Sequence, residues 1–157
     1  MSVITDYSPA DVLGQMLINA AQVSDYDSNG QPVGDWPVAI NEEKDSPDNV
    51  VTLYDIAGGE NYRNNIDNRV FGPAGFQVRV RAATQREAWS KASSLYDYLS
   101  QGSGGGLSRV GVSIGSRYYL MHAVSHMENL ITLQREPSSS RRIVVFSAQV
   151  TVQDQTP

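Results

Sequence analysis

Apolar residues recur at helical spacing in a segment near the start of the chain. This stripe consists of Val12, Leu13, Met16, Leu17 and Ala20. Residues three and four apart share one face of a helix, so the stripe predicts an amphipathic helix that ends near Val23. Ser8 and Asp11 form the Ser-x-x-Asp pattern of a capping box, and Pro9 suits the first helical position.

A second apolar stripe lies in the middle of the chain and consists of Ala88, Ala92, Leu95, Tyr96 and Leu99. Thr84 and Glu87 have the spacing of a capping box, which places the start of this helix immediately after a strand. The glycine-rich run at residues 102–106 ends the helix, because glycine is a poor helix former. We interpret that run as a flexible linker.

Residues 75–83 alternate between apolar and polar side chains, the pattern of a half-buried strand. Phe76, Val78, Val80 and Ala82 point one way, and Gln77, Arg79 and Arg81 point the other. Further strands are predicted at residues 36–40, 50–56, 108–114, 117–126, 129–135 and 141–153. Gly115 and Ser116 are expected to form a hairpin turn.

The order of helix, strands, helix and strands predicts an α+β protein, with a mixed, mostly antiparallel sheet and two helices packed on one face. We expect residues 1–157 to form a single domain. Residues 57–72 are polar and contain Gly58 and Gly59, which predicts a flexible loop that serves as a contact arm. The candidate contact residues in this loop are Tyr62, Arg63, Arg69 and Phe71.

The acidic net charge of the chain argues against one class of function, nucleic-acid binding. Charged residues make up 18% of the 157 residues, the net charge is -5, and the isoelectric point is about 4.9. An acidic chain is a poor candidate for a dedicated nucleic-acid binder, which needs Lys and Arg at phosphates. The chain has no cysteine, and no signal peptide or membrane-spanning stretch is visible.

Residues 25–30 resemble the beginning of a calcium loop, because Asp25, Asp27 and Gly30 have the required spacing. Trp36 occupies the twelfth position, where the bidentate acid belongs, so we interpret the segment as a polar turn. A small hydrolase that uses Asp25 and Asp27 is the alternative from a different class. No catalytic constellation is recognisable, and we expect no enzyme activity, cofactor or metal.

Two pairs of arginines are the candidate subunit interface. Arg79 and Arg81 lie on the polar face of their strand, and Arg141 and Arg142 begin the last strand. Arginine is enriched at protein interfaces, whereas exposed ion pairs contribute little to stability. The sequence leaves both interpretations open, a subunit contact and a solvated surface.

Three stretches together resemble the tail terminator, or tail completion, proteins of long-tailed bacteriophages, which are often called minor capsid proteins. Residues 50–58 read VVTLYDIAG, and residues 75–82 read GFQVRVRA and lead into the helix at 84–99. The third stretch joins QREP at residues 134–137 to RRIVVFSAQVTV at residues 141–152. The resemblance covers residues 8–152 and depends on pattern and order.

This resemblance implies a structural subunit that assembles as a ring, usually of six copies, in the virion tail. The ring would cap the tail tube, stop its polymerisation and present the head-joining surface. Its partners would be other copies of the chain, the tail tube protein and the head–tail connector, with DNA only in transit and no membrane. Assembly in the host cytoplasm is expected. A connector, neck or tail-tube protein is the alternative.

Overall fold

The computed structural model describes residues 7–56, 62–63, 70–100, 109–133 and 141–155. These ranges contain the helices α1 (Pro9–Asn19) and α2 (Gln85–Ser100). The strands are β1 (Val38–Ile40), β2 (Val50–Ile56), β3 (Tyr62–Arg63), β4 (Val70–Ala82), β5 (Arg109–Ile114), β6 (Arg117–Met127), β7 (Ile131–Thr132) and β8 (Arg142–Asp154).

Both helices begin at the caps that the sequence predicts. The Ser8 hydroxyl accepts a hydrogen bond from the Asp11 amide at 3.3 Å, and the Asp11 carboxylate accepts one from the Ser8 amide at 2.9 Å. At α2 the Glu87 amide donates to the Thr84 hydroxyl at 3.3 Å, and this hydroxyl donates to the Glu87 carboxylate at 3.1 Å. The first helix ends at Asn19, before the expected end at Val23.

The sheet has the strand order β1-β2-β4-β8-β6-β5, with β3 beside β4 and β7 beside β8. Strands β1 and β2 are parallel, and the other described pairs are antiparallel. This confirms a mixed, mostly antiparallel sheet. One row of directly paired residues crosses five strands and consists of Val38, Val51, Val80, Val144 and Thr132.

Both helices pack on the same face of the sheet, as predicted. Helix α2 covers β4 and β8, while α1 contacts β1 and β2 at one edge and β5 at the other. Because α1 reaches both edge strands, the sheet must curl around it. A Cβ atom at Gly14 would lie 2.9 Å from Cδ1 of Ile40, so glycine permits the close approach of α1 to β1.

The alternating residues of the long strands fill this core. The buried residues of the helix-facing side of β4 and β8 are Phe76, Val78, Val80, Ala82, Val144, Phe146, Ala148 and Val150. Leu95 of α2 is fully buried in the same cluster. The predicted turn at Gly115 joins β5 to β6, and its φ of 57° is one that glycine adopts without strain.

The structure differs from the sequence prediction in the bounds of two strands, β4 and β7. Strand β4 begins at Val70, five residues before the predicted start, and β7 has two residues where seven were expected. The segment expected to be a loop at residues 57–72 therefore contains β3 and the start of β4, and its remainder lies outside the described residues. The predicted flexible run at residues 102–106 also lies outside them.

Candidate interface residues

Arg79 and Arg81 lie on β4 and face away from the helices, as their alternation predicts. Arg79 is paired in register with Thr52 and Val145, and Arg81 with Val50 and Ile143. This second face of the sheet was expected to be a polar surface. All four of these register partners are instead buried, so another part of the chain covers this end of the face.

The covering segment is the connection between β1 and β2, and Arg81 holds it in place. Arg81 is 1% exposed. Its Nε donates to the carbonyl of Asp48 at 3.3 Å, and its Nη2 donates to the carbonyls of Pro47, at 2.8 Å, and Lys44. Its Nη1 lies 3.5 Å from the Glu43 carboxylate. The guanidinium of Arg81 is thus occupied by contacts within the subunit, and its interface role stays a prediction.

Arg79 shares the same carboxylate. Its Nε lies 3.3 Å from Oε1 of Glu43, and its side chain is 27% exposed. The two atoms do not have the alignment of a hydrogen bond, so we describe the contact as an ion pair. Burial raises the pKa of the neighbouring Tyr54, Glu43 raises it further, and Arg79 and Arg81 oppose this effect. Arg79 is thus partly buried, and its interface role stays a prediction.

In the second arginine pair, Arg141 contacts the same connection between β1 and β2, and Arg142 lies in the sheet. Arg141 donates from Nη1 to the carbonyl of Asp45, and the same atom lies 3.8 Å from the Asp48 carboxylate. Arg142 is the first residue of β8, pairs in register with Ala82 and is half-buried. Three arginines, at positions 79, 81 and 141, therefore contact one connection. Two come from β4 and one from the residue that precedes β8, and these two strands are neighbours only in the folded sheet.

The predicted contact loop is partly a strand pair. Tyr62 and Arg63 form β3 and pair with Phe71 and Val70 of β4. Arg69 lies outside the described residues. The placement of Tyr62, Arg63 and Phe71 in a loop was therefore wrong, since their backbones take part in the sheet. Their role in contacts remains a prediction.

The acidic turn uses its carboxylates locally. Oδ1 of Asp27 accepts hydrogen bonds at 2.9 Å from the amides of Asn29 and Gln31, and Oδ1 of Asp25 accepts one at 2.8 Å from the Tyr26 amide. These are the contacts of a polar turn that binds its own backbone. In the described ranges no group of three or more Asp, Glu or His side chains could hold a metal ion.

Asp55 on β2 has a role that the sequence interpretation missed. Its Oδ1 accepts a hydrogen bond from the amide of Ala10 in the first turn of α1 at 2.9 Å, and its Oδ2 accepts one from the Asn41 side chain at 2.7 Å. A negative charge is favourable at a helix N-terminus. The sequence did contain a signal for this role. The alternation of the strand places Asp55 on a core face, and a buried polar group needs hydrogen-bond partners.

These contacts define an α+β protein whose charged side chains fasten helix ends and connections within the subunit. Among known families, the model for bacteriophage tail terminator proteins matches residues 18–154. The chain therefore belongs to the bacteriophage tail terminator family, which has a structural role in the phage tail. The comparison with curated proteins gives no match. Neither of the described helices is long and apolar enough to span a membrane.

Proposed function

We propose that this chain is the subunit of a ring, composed of six copies, that caps the completed tail tube. The ring stops polymerisation of the tube and provides the surface to which the head is joined. The observation that carries this proposal is the family match over residues 18–154, and the α+β fold with intramolecularly paired charges is consistent with a structural subunit.

The proposed activity consists of binding and includes no chemical step. The partners are other copies of the chain, the tail tube protein and the head–tail connector protein, and the ring assembles in the host cytoplasm before it becomes part of the virion. DNA passes through the lumen. The net charge of -5 suits this passage, because an acidic wall repels phosphate and does not retain the DNA.

Deletion of the gene in the phage tests the proposal. Without a terminator, we expect tails of irregular length that fail to join heads, and a plasmid copy of the wild-type gene should restore both properties. Electron microscopy measures tail length and joining directly. Tails of normal length that remain unjoined would instead favour a connector or neck protein. Normal, infectious particles would contradict a structural role in the tail altogether.

The purified protein provides a second test. Negative-stain microscopy should show rings with a central pore, and light scattering should give the mass of six 17.2 kDa subunits. A protein that stays monomeric at all concentrations, both alone and with purified tail tubes, would contradict the ring.

A further inference from the structure

The loop between α1 and β1, residues 24–37, has an exposed apolar tip. Val33 is 69% exposed, more than any other large apolar residue in the described ranges. The loop is ordered around this tip, because the Val33 amide donates to the carbonyl of Asp25 at 2.9 Å and Tyr26 pairs with Pro32. It contains three aspartates and no Lys or Arg. We call residues 24–37 the acidic loop.

The acidic loop lies at one lateral edge of the subunit. Strand β1 is the outermost strand on that side. Ser24 pairs with Pro37, the residue that precedes β1, while the carbonyl of Pro37 accepts a hydrogen bond from Val51 of β2 on the other side. The loop therefore extends the sheet beyond β1 and projects away from it.

A second exposed apolar surface lies on the flank of α2 that faces β7, the strand beside β8. It is formed by Trp89, which is 42% exposed. Ile131 of β7 is also exposed, but it pairs with Val145 and therefore points to the face of the sheet away from the helices. Gln85 connects the two elements, because its side-chain amide donates to the Thr132 hydroxyl at 2.8 Å. Arg86 is exposed beside Trp89 in a shallow depression. We call Arg86 and Trp89 the edge patch.

The two surfaces lie at the same height on opposite sides of the sheet. Val38 beside the acidic loop and Thr132 in β7 are the two ends of the row of paired residues that crosses five strands. Four strand spacings separate them, about 19 Å along the sheet. The side-chain contacts of α2 support this arrangement. Lys91 faces the acidic loop, with its ammonium 5.8 Å from the centre of the Trp36 ring, whereas Gln85 faces β7.

We propose that the acidic loop of one copy docks on the edge patch of the next copy. This inference depends on the proposed ring and identifies its subunit contact. The tip at Val33 would cover Trp89, and the loop carboxylates would lie near Arg86. Charge complementarity of this kind steers association and fixes its register, and a central tryptophan is a frequent source of interface energy.

Different surfaces on opposite edges produce a heterologous, head-to-tail contact. Such contacts repeat from copy to copy and close into a ring when the rotation between copies permits it. A contact between identical surfaces would stop at a dimer. The placement of the acidic loop and the edge patch at equal height on opposite edges therefore favours a closed ring over a pair.

Thiol crosslinking tests the contact, because the chain has no cysteine of its own. In the full-length protein, Val33 and Trp89 are kept and the exposed neighbours Gln31 and Ser90 are replaced, so the double variant Gln31→Cys with Ser90→Cys is treated with a short bismaleimide. We expect a ladder of covalent multimers that ends at the size of the complete ring. Each single variant should stay monomeric in denaturing gels. The matched control pairs Ser90→Cys with Ile56→Cys, since Ile56 is 42% exposed but lies at the far end of β2.

The possible results of this experiment distinguish an error in the proposed contact from an error in the proposed ring. Rings that form in the microscope but give no ladder for positions 31 and 90 would overturn the contact and leave the ring intact. Crosslinked dimers of a single variant would overturn it in favour of a symmetric contact. A wild-type protein that never forms rings would overturn both.

A measurement of association gives independent support. Val33→Asp and Trp89→Asp should each weaken subunit association at least tenfold in sedimentation, whereas Ile56→Asp should leave it unchanged. Circular dichroism confirms that each variant is folded. Unchanged association of the first two variants would overturn the contact.

Discussion

At the scale of single residues, the burial of Arg81 determines how the second face of the sheet is built. Its guanidinium contacts three backbone carbonyls and one carboxylate. Buried charges are tolerated when they are paired and hydrogen-bonded, and this side chain meets that condition. Replacement of both Arg79 and Arg81 by Glu would therefore disrupt the monomer, which makes that double variant unsuitable as a test of the interface.

We predict that Arg81→Met lowers the free energy of unfolding by about 2–4 kcal/mol, because it leaves buried carbonyls and the Glu43 carboxylate without their partner. Arg79→Met is the matched control on the same face. It should cost less than about 1 kcal/mol, because the Arg79 side chain is more exposed and makes one ion pair. Urea unfolding measures both values, and equal costs would contradict the role of Arg81 in holding the connection between β1 and β2.

Tyr26 offers a prediction about alkaline stability. Its hydroxyl is buried and has no hydrogen-bond partner among the described residues, and burial raises its pKa above the ordinary 10.0, with Arg81 opposing the effect. Above pH 10 the unfolded chain therefore loses a proton that the folded chain retains, so stability falls as the pH rises through this range. Below pH 10 both states keep the proton, and the effect is absent.

Tyr26→Phe removes this ionisation. The variant should match the wild type in thermal melting at pH 7 and retain more of its stability between about pH 10 and pH 11. Melting curves across this range measure the difference in melting temperature between the two proteins. The titration of all other groups is the same in both, so it cancels in this difference. An identical alkaline loss in both proteins would show that the Tyr26 hydroxyl is as accessible to solvent when folded as when unfolded.

At the scale of elements, the packing of α2 on β4 and β8 is the main contact between helix and sheet. Leu95 is fully buried in it, and Tyr96 meets Phe146 edge to face with ring centroids 5.5 Å apart. Lys91 fastens the other side of α2, because its ammonium donates to the carbonyl of Gln22. The helix thus connects the sheet to the segment that follows α1.

We predict that Leu95→Ala lowers the free energy of unfolding by about 2–5 kcal/mol, as truncations of large core residues do. Ser94→Ala on the exposed side of the same helix should change it by less than about 0.5 kcal/mol. Chemical denaturation gives both values. A small effect at Leu95 would mean that the helix does not use this face to cover the sheet.

At the scale of the whole molecule, charge is distributed unevenly along the chain. The first 60 residues contain eleven acidic residues and one lysine, whereas the remainder contains six acidic residues and eleven basic ones. Part of this asymmetry is neutralised within the subunit by Arg79, Arg81 and Arg141. The acidic loop and Arg86 are both exposed, and in the proposed contact they face each other across neighbouring copies.

We predict that added salt weakens association between subunits more than it weakens the fold. Screening shortens the Debye length from about 14 Å to about 4 Å between 0.05 M and 0.5 M salt, which affects exposed charges most. Sedimentation should show fewer rings at the higher concentration, while the melting temperature of the monomer changes little. Stronger association at high salt would indicate a contact that is dominated by apolar burial.

The sequence by itself determined the local elements and the sheet face of most residues. Capping boxes placed the starts of both helices, and the two-residue period separated Val78 and Val80 from Arg79 and Arg81. These signals are local, because they depend on backbone geometry over a few residues. The α+β class and the family resemblance followed from their order along the chain.

Only the tertiary structure decided what covers each face. Periodicity shows that Arg81 points away from the helices, but it contains no information on the connection that folds back over it, because Glu43 and Pro47 lie more than thirty residues away in sequence. The same holds for Asp55, which reaches the first turn of α1 across 45 residues. Contacts of this range depend on how the strands and connections come together in space, so only the folded structure shows which arginines contact the subunit's own backbone.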